Sequence, residues 1–448
     1  MQGSTDTVIV GGGIAGLSAA RALVHAGRSA VVLEARDRVG GRTATVDVVG
    51  TRMDVGGQWL APQQHRMQAL LRAYGLATFP TFHSGRKILE LDGARTTYAG
   101  SIPSLPLTSL LDFEIANRRM ERQRATVPVG APHTARQAMR LDAHSLGAWA
   151  SRLIHTKPTR AVFDAAVRTV FGAEPSELSA LYFLAYSNAG GGCLKLVEGE
   201  GAAQEQRLVD GAQSISDAIA RELGSAVVRN APVRALDWDA GGATVHSDAG
   251  AWRARRVVVA LAPALIRTIR FSPALPPAKD QLLQRIPMGS TIKCVAVYER
   301  PFWRDAGLSG EVVSDGEPLS ITYDNTSADG RTAALVGFIV GAPARRWSTR
   351  SPGDRQRAVV ESLTRWFGAQ AARPLFYEDK DWSADPWSGG CPVGVFPPGV
   401  LTTSAATLRE PVGCLHFAGT ETATEWTGYM EGAAQSGERA AGEVMENA

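Results

Sequence analysis

Short apolar runs alternate with helix-length segments along most of the chain, and the first forty residues show this pattern most clearly. An apolar run over 8–10 predicts a buried parallel strand. The spacing of apolar residues predicts a helix over 17–26, and Gly27 stands where a glycine commonly ends a helix. A second apolar run over 30–33 predicts another strand, which leads into Glu34. The order strand, helix, strand is that of a βαβ unit.

Glycines occupy the first turn of this unit in the spacing of a dinucleotide-binding fingerprint. Gly11 permits a tight turn, Gly13 lets the backbone approach a pyrophosphate, and Gly16 lets the helix pack on the strand. The N–H groups at the start of the helix favour phosphate. Glu34 lies where a carboxylate accepts hydrogen bonds from ribose hydroxyls. The sequence therefore predicts a dinucleotide site, with an ordinary glycine-rich turn as the alternative.

The remaining pattern predicts two kinds of structure that alternate along the chain. Predicted helices cover 66–75, a stretch opening at 103–111 and running to 124, 145–155, 159–171, 176–187 (capped by Ser176 or Ser179), 214–223, 354–367 and 429–445. Predicted strands cover 45–53 as a pair, 87–91, 96–98, 226–229, 233–238, 243–247, 251–253, 256–261, 292–298, 319–323, 333–340 and 414–418. Two interleaved domains explain this alternation better than three serial ones. We expect one domain from 1–79, 210–285 and 385–448, and the other from 80–209 and 286–384.

Composition limits the classes of function. With 44% hydrophobic and 20% charged residues, the 448-residue chain can bury a large core. A net charge of +3 is too small and too scattered to indicate nucleic acid. The four cysteines are too widely spaced to indicate a disulfide framework or a metal site. Neither a signal segment nor a long apolar run is present, so we expect a cytoplasmic protein with no membrane partner.

Two further glycine motifs indicate backbone close to a flat or phosphate-bearing ligand. Gly56 and Gly57 precede Gln58-Trp59, although an ordinary hairpin end would also fit. Gly419-Thr420-Glu421 follows an apolar strand, and we expect it at the start of a helix, where free N–H groups favour phosphate. No Ser-His-Asp set or HExxH motif is apparent, which favours a reaction driven by a cofactor.

The residues after Glu34 carry a resemblance to known flavoproteins. Arg38-Val39-Gly40-Gly41-Arg42 resembles the extended fingerprint of the GG family, which includes amine oxidases, phytoene desaturases and protoporphyrinogen oxidases. The resemblance implies FAD rather than NAD. It also implies that the second glycine pair and its arginine approach the FAD phosphates and the flavin.

The C-terminal motifs are similar to those of the monoamine oxidases. They are Trp387-Ser388-Gly389-Gly390-Cys391, Phe417-Ala418-Gly419-Thr420-Glu421-Thr422 and Trp426-Thr427-Gly428-Tyr429-Met430-Glu431-Gly432, after Ile292-Lys293-Cys294 in the middle of the chain. The resemblance covers nearly the whole sequence. It implies an α/β fold in which a p-hydroxybenzoate-hydroxylase-like, Rossmann-like FAD domain is interleaved with an α+β substrate-binding domain, whose sheet roofs the flavin.

By this resemblance many residues contact the cofactor. They are Gly11, Gly13, Ile14, Ala15, Gly16, Glu34, Ala35, Arg36, Gly40, Gly41, Arg42, Gly56, Gly57, Gln58, Trp59, Val233, Trp382, Cys391, Gly419, Thr420, Glu421 and Met430. The resemblance further implies a thioether link from Cys391 to the flavin 8α-carbon. A buried, inert thiol is the alternative for this cysteine.

The resemblance also assigns the reaction and the substrate pocket. Lys293 holds a water at flavin N5, unless it is a strand residue facing solvent, and Tyr429 aligns the substrate nitrogen. The implied pocket residues are Trp59, Tyr186, Val197, Gln204, Ile321 and Phe338, although core packing alone would also explain Val197, Ile321 and Phe338. Pro392 replaces a family tyrosine, which leaves one wall smaller and aliphatic. With no obvious carboxylate pair for a diamine or polyamine, we expect alkyl or arylalkyl monoamines.

The expected reaction is FAD-dependent amine oxidation. A hydride equivalent passes from the amine α-carbon to flavin N5, the imine hydrolyses to an aldehyde, and O₂ reoxidises the flavin to give H₂O₂. Two alternatives remain at this stage: a C–C desaturase of the phytoene or protoporphyrinogen type, and a flavin-binding regulatory protein without turnover. We expect no nucleic-acid partner and leave a homodimer open.

Overall fold

Two large sheets organise the computed structural model, which describes residues 3–100, 103–196 and 203–446. The strands are, in chain order, β1 (Gly3–Val10), β2 (Ala30–Leu33), β3 (Thr45–Val48), β4 (Thr51–Asp54), β5 (Trp59–Leu60), β6 (Thr78–Pro80), β7 (Arg86–Leu91), β8 (Ala94–Tyr98), β9 (Gln206–Leu208), β10 (Val227–Val228), β11 (Val233–Asp239), β12 (Gly242–Ser247), β13 (Gly250–Val259), β14 (Arg270–Ser272), β15 (Thr291–Tyr298), β16 (Leu308–Ser314), β17 (Ile321–Asp324), β18 (Ala333–Val340), β19 (Phe376–Asp381) and β20 (Leu415–Phe417). Strands β3 and β4 form a separate hairpin.

Helices cover both sheets and fill the space between them. The α-helices are α1 (Ile14–His25), α2 (His65–Tyr74), α3 (Leu107–Arg124), α4 (Ala138–Asp142), α5 (Leu146–Ala150), α6 (Lys157–Phe171), α7 (Ala180–Ala189), α8 (Gln213–Leu223), α9 (Pro263–Ile266), α10 (Pro277–Gln284), α11 (Phe302–Asp305), α12 (Ala342–Ser348), α13 (Pro352–Phe367), α14 (Leu401–Ser404) and α15 (Met430–Glu446). None of the helices in the described ranges is both long and apolar enough to span a bilayer.

The first sheet has the strand order β10-β2-β1-β13-β12-β11-β14, with β20 also paired to β13. Its central strands are parallel, and Val10 is in register with both Leu33 and Val259. Val259 is in turn paired with Phe417. Because these four strands end at the same level, the segments that follow them meet at one edge of the sheet. Ligands bind at this edge in open α/β folds.

Alternate side chains of these strands point to opposite faces of the sheet, and both faces are covered. Ile9, Val32 and Val258 pack with α1, α8 and α15. Val10 and Val259, which point the other way, belong to the larger core cluster. The nearly continuous apolar runs in the sequence follow from this two-sided burial.

The second sheet has the order β19-β15-β18-β17-β16-β7-β8. One row of paired residues crosses four of its strands, from Lys293 through Phe338 and Ile321 to Val313. The side chains of this row lie on the face that meets the first domain's loops, since Val295, Val336 and Trp59 pack in the same cluster. Helix α13 covers the opposite face, where Leu363 and Trp366 pack.

The predicted fold class is confirmed, as a parallel-centred α/β sheet is interleaved with a second, mainly antiparallel one. All strands of the first sheet come from 1–79, 210–285 and 385–448, and those of the second from 80–209 and 286–384. A small sheet of β5, β9 and β6 joins the two sets, and β6 crosses the predicted boundary at 79/80. The domain boundaries therefore stay a prediction.

Two predicted strands and two predicted helices were wrong in their limits. The strands predicted over 251–253 and 256–261 are one strand, β13, because Ala254 between them pairs with β1 on one side and β12 on the other. The helix predicted from Ser176 begins at Ala180, where the Ser179 hydroxyl accepts two backbone N–H groups. The helix predicted over 145–155 ends at Ala150, and the Asp112 carboxylate accepts hydrogen bonds from two backbone N–H groups beyond it.

Candidate active site

A cavity of about 320 Å³ runs from the carboxyl edge of the first sheet to the inner face of the second. Most of the residues predicted to bind cofactor or substrate lie in its wall. They are Gly11, Gly13, Ile14, Ala15, Glu34, Ala35, Arg36, Gly40, Gly41, Arg42, Gly56, Gly57, Gln58, Trp59, Tyr186, Gln204, Val233, Lys293, Phe338, Trp382, Cys391, Pro392, Gly419, Thr420, Tyr429 and Met430. The fold thus brings together segments from the beginning, the middle and the end of the chain.

The first turn has the close approaches that its glycines predict. A Cβ at Gly16 would overlap the carbonyl oxygen of Gly11, so only glycine allows α1 to lie this near β1. Gly16 therefore packs against the strand and does not line the cavity. Gly40 donates its N–H to the carbonyl oxygen of Gly12 at 2.9 Å, which places the second glycine pair beside the first.

Glu34 is buried and holds the turn from the other side. Its carboxylate accepts hydrogen bonds from the N–H groups of Gly12 at 2.7 Å and Arg36 at 2.9 Å. The same carboxylate lies in the cavity wall. A ribose hydroxyl at this position would add a donor to an acceptor that the backbone has already oriented.

An ion pair that sequence reasoning missed fixes Arg36. Its guanidinium donates to Asp385 at 2.6 Å and to the Ser388 hydroxyl at 2.7 Å. Burial by itself raises the pKa of Asp385, but Arg36 and Lys380 hold it below its usual value. Asp385 stands two residues before the Trp387–Cys391 motif, and this position was the only signal in the sequence.

Arg42 links three distant segments. Its guanidinium donates to the Glu421 carboxylate at 2.6 and 3.0 Å and to the carbonyl oxygen of Pro392 at 2.9 Å. Glu421 also accepts the N–H of Gly394. Glu421 lies outside the cavity wall, so in this structure it orients Arg42 instead of facing a ligand.

Gly419-Thr420-Glu421 leads into a short 3₁₀ turn over Thr420–Thr422 and not into an α-helix. The closing helix α15 begins at Met430, one residue from its predicted start at 429. The Gly419 N–H is already bonded to the Ser436 hydroxyl at 3.0 Å. The turn contributes Gly419 and Thr420 to the cavity wall.

Cys391 lies in the cavity wall at the end of a loop that only glycines can form here. Gly390 has φ +137°, and a Cβ on it would overlap the carbonyl oxygen of Gly289. Burial raises the pKa of the Cys391 thiol to about 12. Cys391 packs in a small cluster with Trp382, whose indole N–H donates to the Val55 carbonyl oxygen at 2.9 Å.

Lys293 points inward, so the alternative of a solvent-facing strand residue is wrong. The side chain is 2% exposed, donates to the carbonyl oxygen of Gly56 at 2.9 Å and also contacts the Gln58 side-chain oxygen. Burial lowers the pKa of Lys293 to about 7, although the nearby Asp54 carboxylate raises it. The amine is therefore close to the balance between its charged and neutral forms near neutral pH.

Aromatic rings form the apolar end of the cavity on both sides of Lys293. Trp59 packs edge-to-face on Tyr323 with centroids 5.2 Å apart and lies 5.8 Å from Phe338. The rings of Tyr186 and Tyr429 are tilted by 43° to each other, with centroids 6.1 Å apart. Burial raises the pKa of both tyrosines, so their hydroxyl groups stay protonated and polar without charge.

Two of the predicted pocket residues lie elsewhere or are not described. Ile321 is buried in the wall of a second cavity instead of the first. Val197 lies outside the described residues. Sequence reasoning also missed members of the wall, among them Thr169, Val170, Leu196 and Thr291. Helix α6 brings the first two of these into the wall with its last turns, and no motif marks them in the sequence.

The residues present fit an FAD molecule. Glycines at the carboxyl edge leave room for a pyrophosphate, and Gly13 has nothing nearer than 3.8 Å to an added Cβ. Two buried polar atoms in the other half, Trp59 Nε1 and Gln204 Oε1, have no protein partner. A ligand or an ordered water that donates or accepts there would satisfy these atoms.

Comparison with known proteins agrees with this fit. The sequence model of the family described as flavin containing amine oxidoreductase matches residues 14–445. The chain is 38% identical over 445 residues to a probable flavin-containing monoamine oxidase A of Dictyostelium discoideum, covering 98% of this chain and 97% of that one. It is 41% identical over 442 residues to a putative flavin-containing monoamine oxidase of Mycobacterium tuberculosis, covering 98% and 96%.

Solved structures with the same fold are also amine oxidases. A putrescine oxidase bound to putrescine matches with a TM-score of 0.95 and 33% identity, over 99% of both chains. Cyclohexylamine oxidase from Brevibacterium oxydans matches with the same TM-score, identity and coverage.

Proposed function

Since this chain belongs to the family of flavin-containing amine oxidoreductases, we propose that this FAD-dependent amine oxidase acts on alkyl and arylalkyl monoamines, with O₂ as the final acceptor. The products would be an aldehyde, ammonia or a smaller amine, and H₂O₂. The names of the relatives favour amine oxidation over C–C desaturation and over a regulatory protein without turnover.

One observation carries the choice of monoamines. Among the described residues in the cavity wall, Glu34 is the only carboxylate, and it lies at the dinucleotide end with two backbone N–H groups bound. The aromatic end offers Lys293, tyrosine hydroxyls and apolar groups. A second ammonium group in this end would lose its water without gaining a counter-charge, which is costly.

The chain's own residues provide binding, orientation and exclusion of water. FAD, when bound, supplies the acceptor for the electrons of the amine. Tyr186 and Tyr429 offer aromatic surfaces to an amine nitrogen in the cavity, and Pro392 leaves more room beside them than a third ring would. Lys293 uses two of its three donors on Gly56 and Gln58, which leaves one N–H for a water molecule.

We also propose that FAD is attached through Cys391. Two observations support this proposal. Cys391 lies in the cavity wall next to Trp382. Its loop is fixed by Gly390 and by the Thr291 hydroxyl, which donates to the Cys391 carbonyl oxygen at 3.1 Å. The high pKa of the thiol means that Cys391 does not react as a thiolate with unrelated electrophiles at neutral pH.

The experiment that tests the substrate class is anaerobic mixing of the purified holoenzyme with single amines while the flavin absorbance is followed. The panel contains phenethylamine, benzylamine, hexylamine and putrescine. We expect bleaching by the monoamines, reversed by air with formation of H₂O₂. Faster bleaching by putrescine than by hexylamine would show that the monoamine assignment is wrong.

A further inference from the structure

A second cavity, of about 340 Å³, lies directly beside the first. The two cavities share Thr169, Val170 and Leu196 in their walls. Its lining is mainly apolar and comes from α3, α6, α7 and the second sheet, with Phe163 and Ile321 as examples. Among the described residues, only these shared side chains need to give way for a long substrate tail to pass from the aromatic end of the first cavity into this space.

The second cavity contains a buried ion pair. Lys87 Nζ lies 2.8 Å from the Glu311 carboxylate, and the two side chains are only 16% and 13% exposed. Strands β7 and β16 pair next to this contact, where Leu89 is in register with Val313, and the register of β16 is irregular between Leu308 and Val312. Lys87 and Glu311 both line the cavity, so the ion pair belongs to its wall.

Lys87 and Glu311 carry the only lysine, arginine, aspartate or glutamate side chains among the described residues that line this cavity. Burial raises the pKa of Glu311, and Lys87 acts against that shift. The carboxylate therefore depends on Lys87 for its charge. Without the lysine, it would either take up a proton or require another cation.

The distance from this pair to Lys293 sets the length of tail that could reach it. Lys293, Phe338, Ile321 and Val313 are paired neighbours on four adjacent strands. Three strand spacings amount to about 14 Å, so the pair lies too far away for hexylamine or putrescine. A chain of about a dozen carbon atoms has the required length.

On the basis of the proposed function, we propose that Lys87 determines which substrate tails the enzyme accepts, by occupying the Glu311 carboxylate. With Lys87 present, the far end of the substrate site is neutral as a whole and accepts uncharged tails. With Lys87 removed, Glu311 becomes free to bind the distal ammonium of a long α,ω-diamine.

The test compares dodecylamine with α,ω-diaminododecane in four proteins: the wild type, Lys87→Met, Glu311→Gln and the double variant. We expect the wild type to prefer dodecylamine in kcat/KM by at least about tenfold, which corresponds to about 1.4 kcal/mol. Lys87→Met should reduce that preference by at least about tenfold. Neither Glu311→Gln nor the double variant should gain diamine oxidation, because both lack the carboxylate.

Lys87→Gln serves as a second variant if Lys87→Met does not fold, since an amide keeps a polar group beside Glu311. The diamine-induced rise in thermal unfolding midpoint provides a measurement that needs no turnover, and it should be larger in the lysine variants than in the wild type. Equal gains in diamine oxidation by Lys87→Met and by the double variant would overturn the proposal. Such a result would mean that the space left by the lysine side chain, and not the free carboxylate, causes the gain. A wild type that uses both compounds equally would also overturn it.

These outcomes are separate from a failure of the proposed function. If short monoamines do not bleach the flavin, the monoamine assignment fails. The stabilisation of the variants by diaminododecane would still report whether Lys87 occupies Glu311. Hexylamine oxidation should be unchanged in all four proteins, because its tail ends before the ion pair.

Discussion

Arg42 and Glu421 are 379 residues apart in the sequence, and their side chains form an ion pair with a shortest distance of 2.6 Å. The Glu421 side chain is 1% exposed. Burial by itself raises the pKa of this carboxyl, but Arg42 holds it below its usual value. The pair fixes the loop after the second glycine motif against the turn that follows β20, and so it holds one side of the cofactor cavity in place.

Replacement of Glu421 by glutamine should destabilise the holoenzyme. The amide retains one acceptor for Arg42 but leaves its buried charge without a counter-charge, and the loss of one partner of a buried pair costs about 3–5 kcal/mol. We expect a lower thermal unfolding midpoint and easier loss of FAD on dilution. Arg66→Gln, which removes a more exposed arginine with three carboxylate partners, is the control and should retain FAD. Equal FAD loss in the two variants would contradict this role of Glu421.

The Lys293→Met variant should lose a pH dependence of stability. Lys293 has a pKa of about 7 in the fold and an ordinary value of 10.5, so the unfolded chain binds more protons between these values and wild-type stability rises with pH there. The variant lacks this gain. Its thermal midpoint should therefore exceed that of the wild type by at least about 2 °C below pH 7, and the difference should shrink as the pH increases.

Lys279→Met is the matched control for Lys293. Lys279 is also buried, with a pKa lowered to about 7 by burial, but it contacts the Glu410 carbonyl oxygen and the Phe417 ring, away from the cavity wall. Both variants should show the same sign of pH effect on stability. Only Lys293→Met should slow flavin reoxidation. An equal effect in Lys279→Met would contradict a catalytic role of Lys293.

Gly56 and Gly57 are adjacent in the sequence and should respond differently to alanine. A Cβ at Gly56 would overlap the Arg42 carbonyl oxygen and lie 3.0 Å from the Trp382 ring, whereas one at Gly57 has nothing nearer than 3.7 Å. We expect Gly56→Ala to lower the free energy of unfolding by roughly 1–3 kcal/mol. Gly57→Ala should change it by less than about 0.5 kcal/mol. Thermal unfolding of both variants measures the contrast, and equal midpoints would refute it.

Cys391→Ala should release FAD from acid-denatured protein. In the wild type the yellow colour should remain with the precipitate, because the proposed thioether survives unfolding. Cys193→Ala is the control, since Cys193 lines the second cavity and not the first. Complete release of the colour from the wild type would show that Cys391 is not linked to the flavin.

The sequence predicted those parts of the molecule whose conformation is determined by residues close together in the chain. The turn at Gly11–Gly16 follows from backbone conformations that few residues adopt. The same holds between the predicted strands 87–91 and 96–98, where Asp92 and Gly93 both have positive φ. Helix α7 is capped by Ser179 rather than Ser176, and the Ser179 hydroxyl also donates to the distant Asp142. No local pattern distinguishes the two serines.

The polar contacts of the site were hard to predict for the same reason. Arg36 and Asp385 are 349 residues apart, and Lys87 meets Glu311 only because β7 joins the second sheet beside β16. Each residue taken alone is an ordinary charged position. The resemblance to monoamine oxidases supplied the residues expected near the flavin, but a pair formed by two such positions is visible only once the strands have been placed.

The meeting of four strand ends at one edge of the first sheet also means that the cofactor cavity exists only while distant segments of the chain stay together. The strand β20, the glycine after it and the first turn of α15 stand beside β13 and α1. Detachment of β20 and α15 from the sheet would open one wall of the cavity even if the turn after β1 kept its shape. Retention of the flavin and local unfolding of this edge are therefore linked.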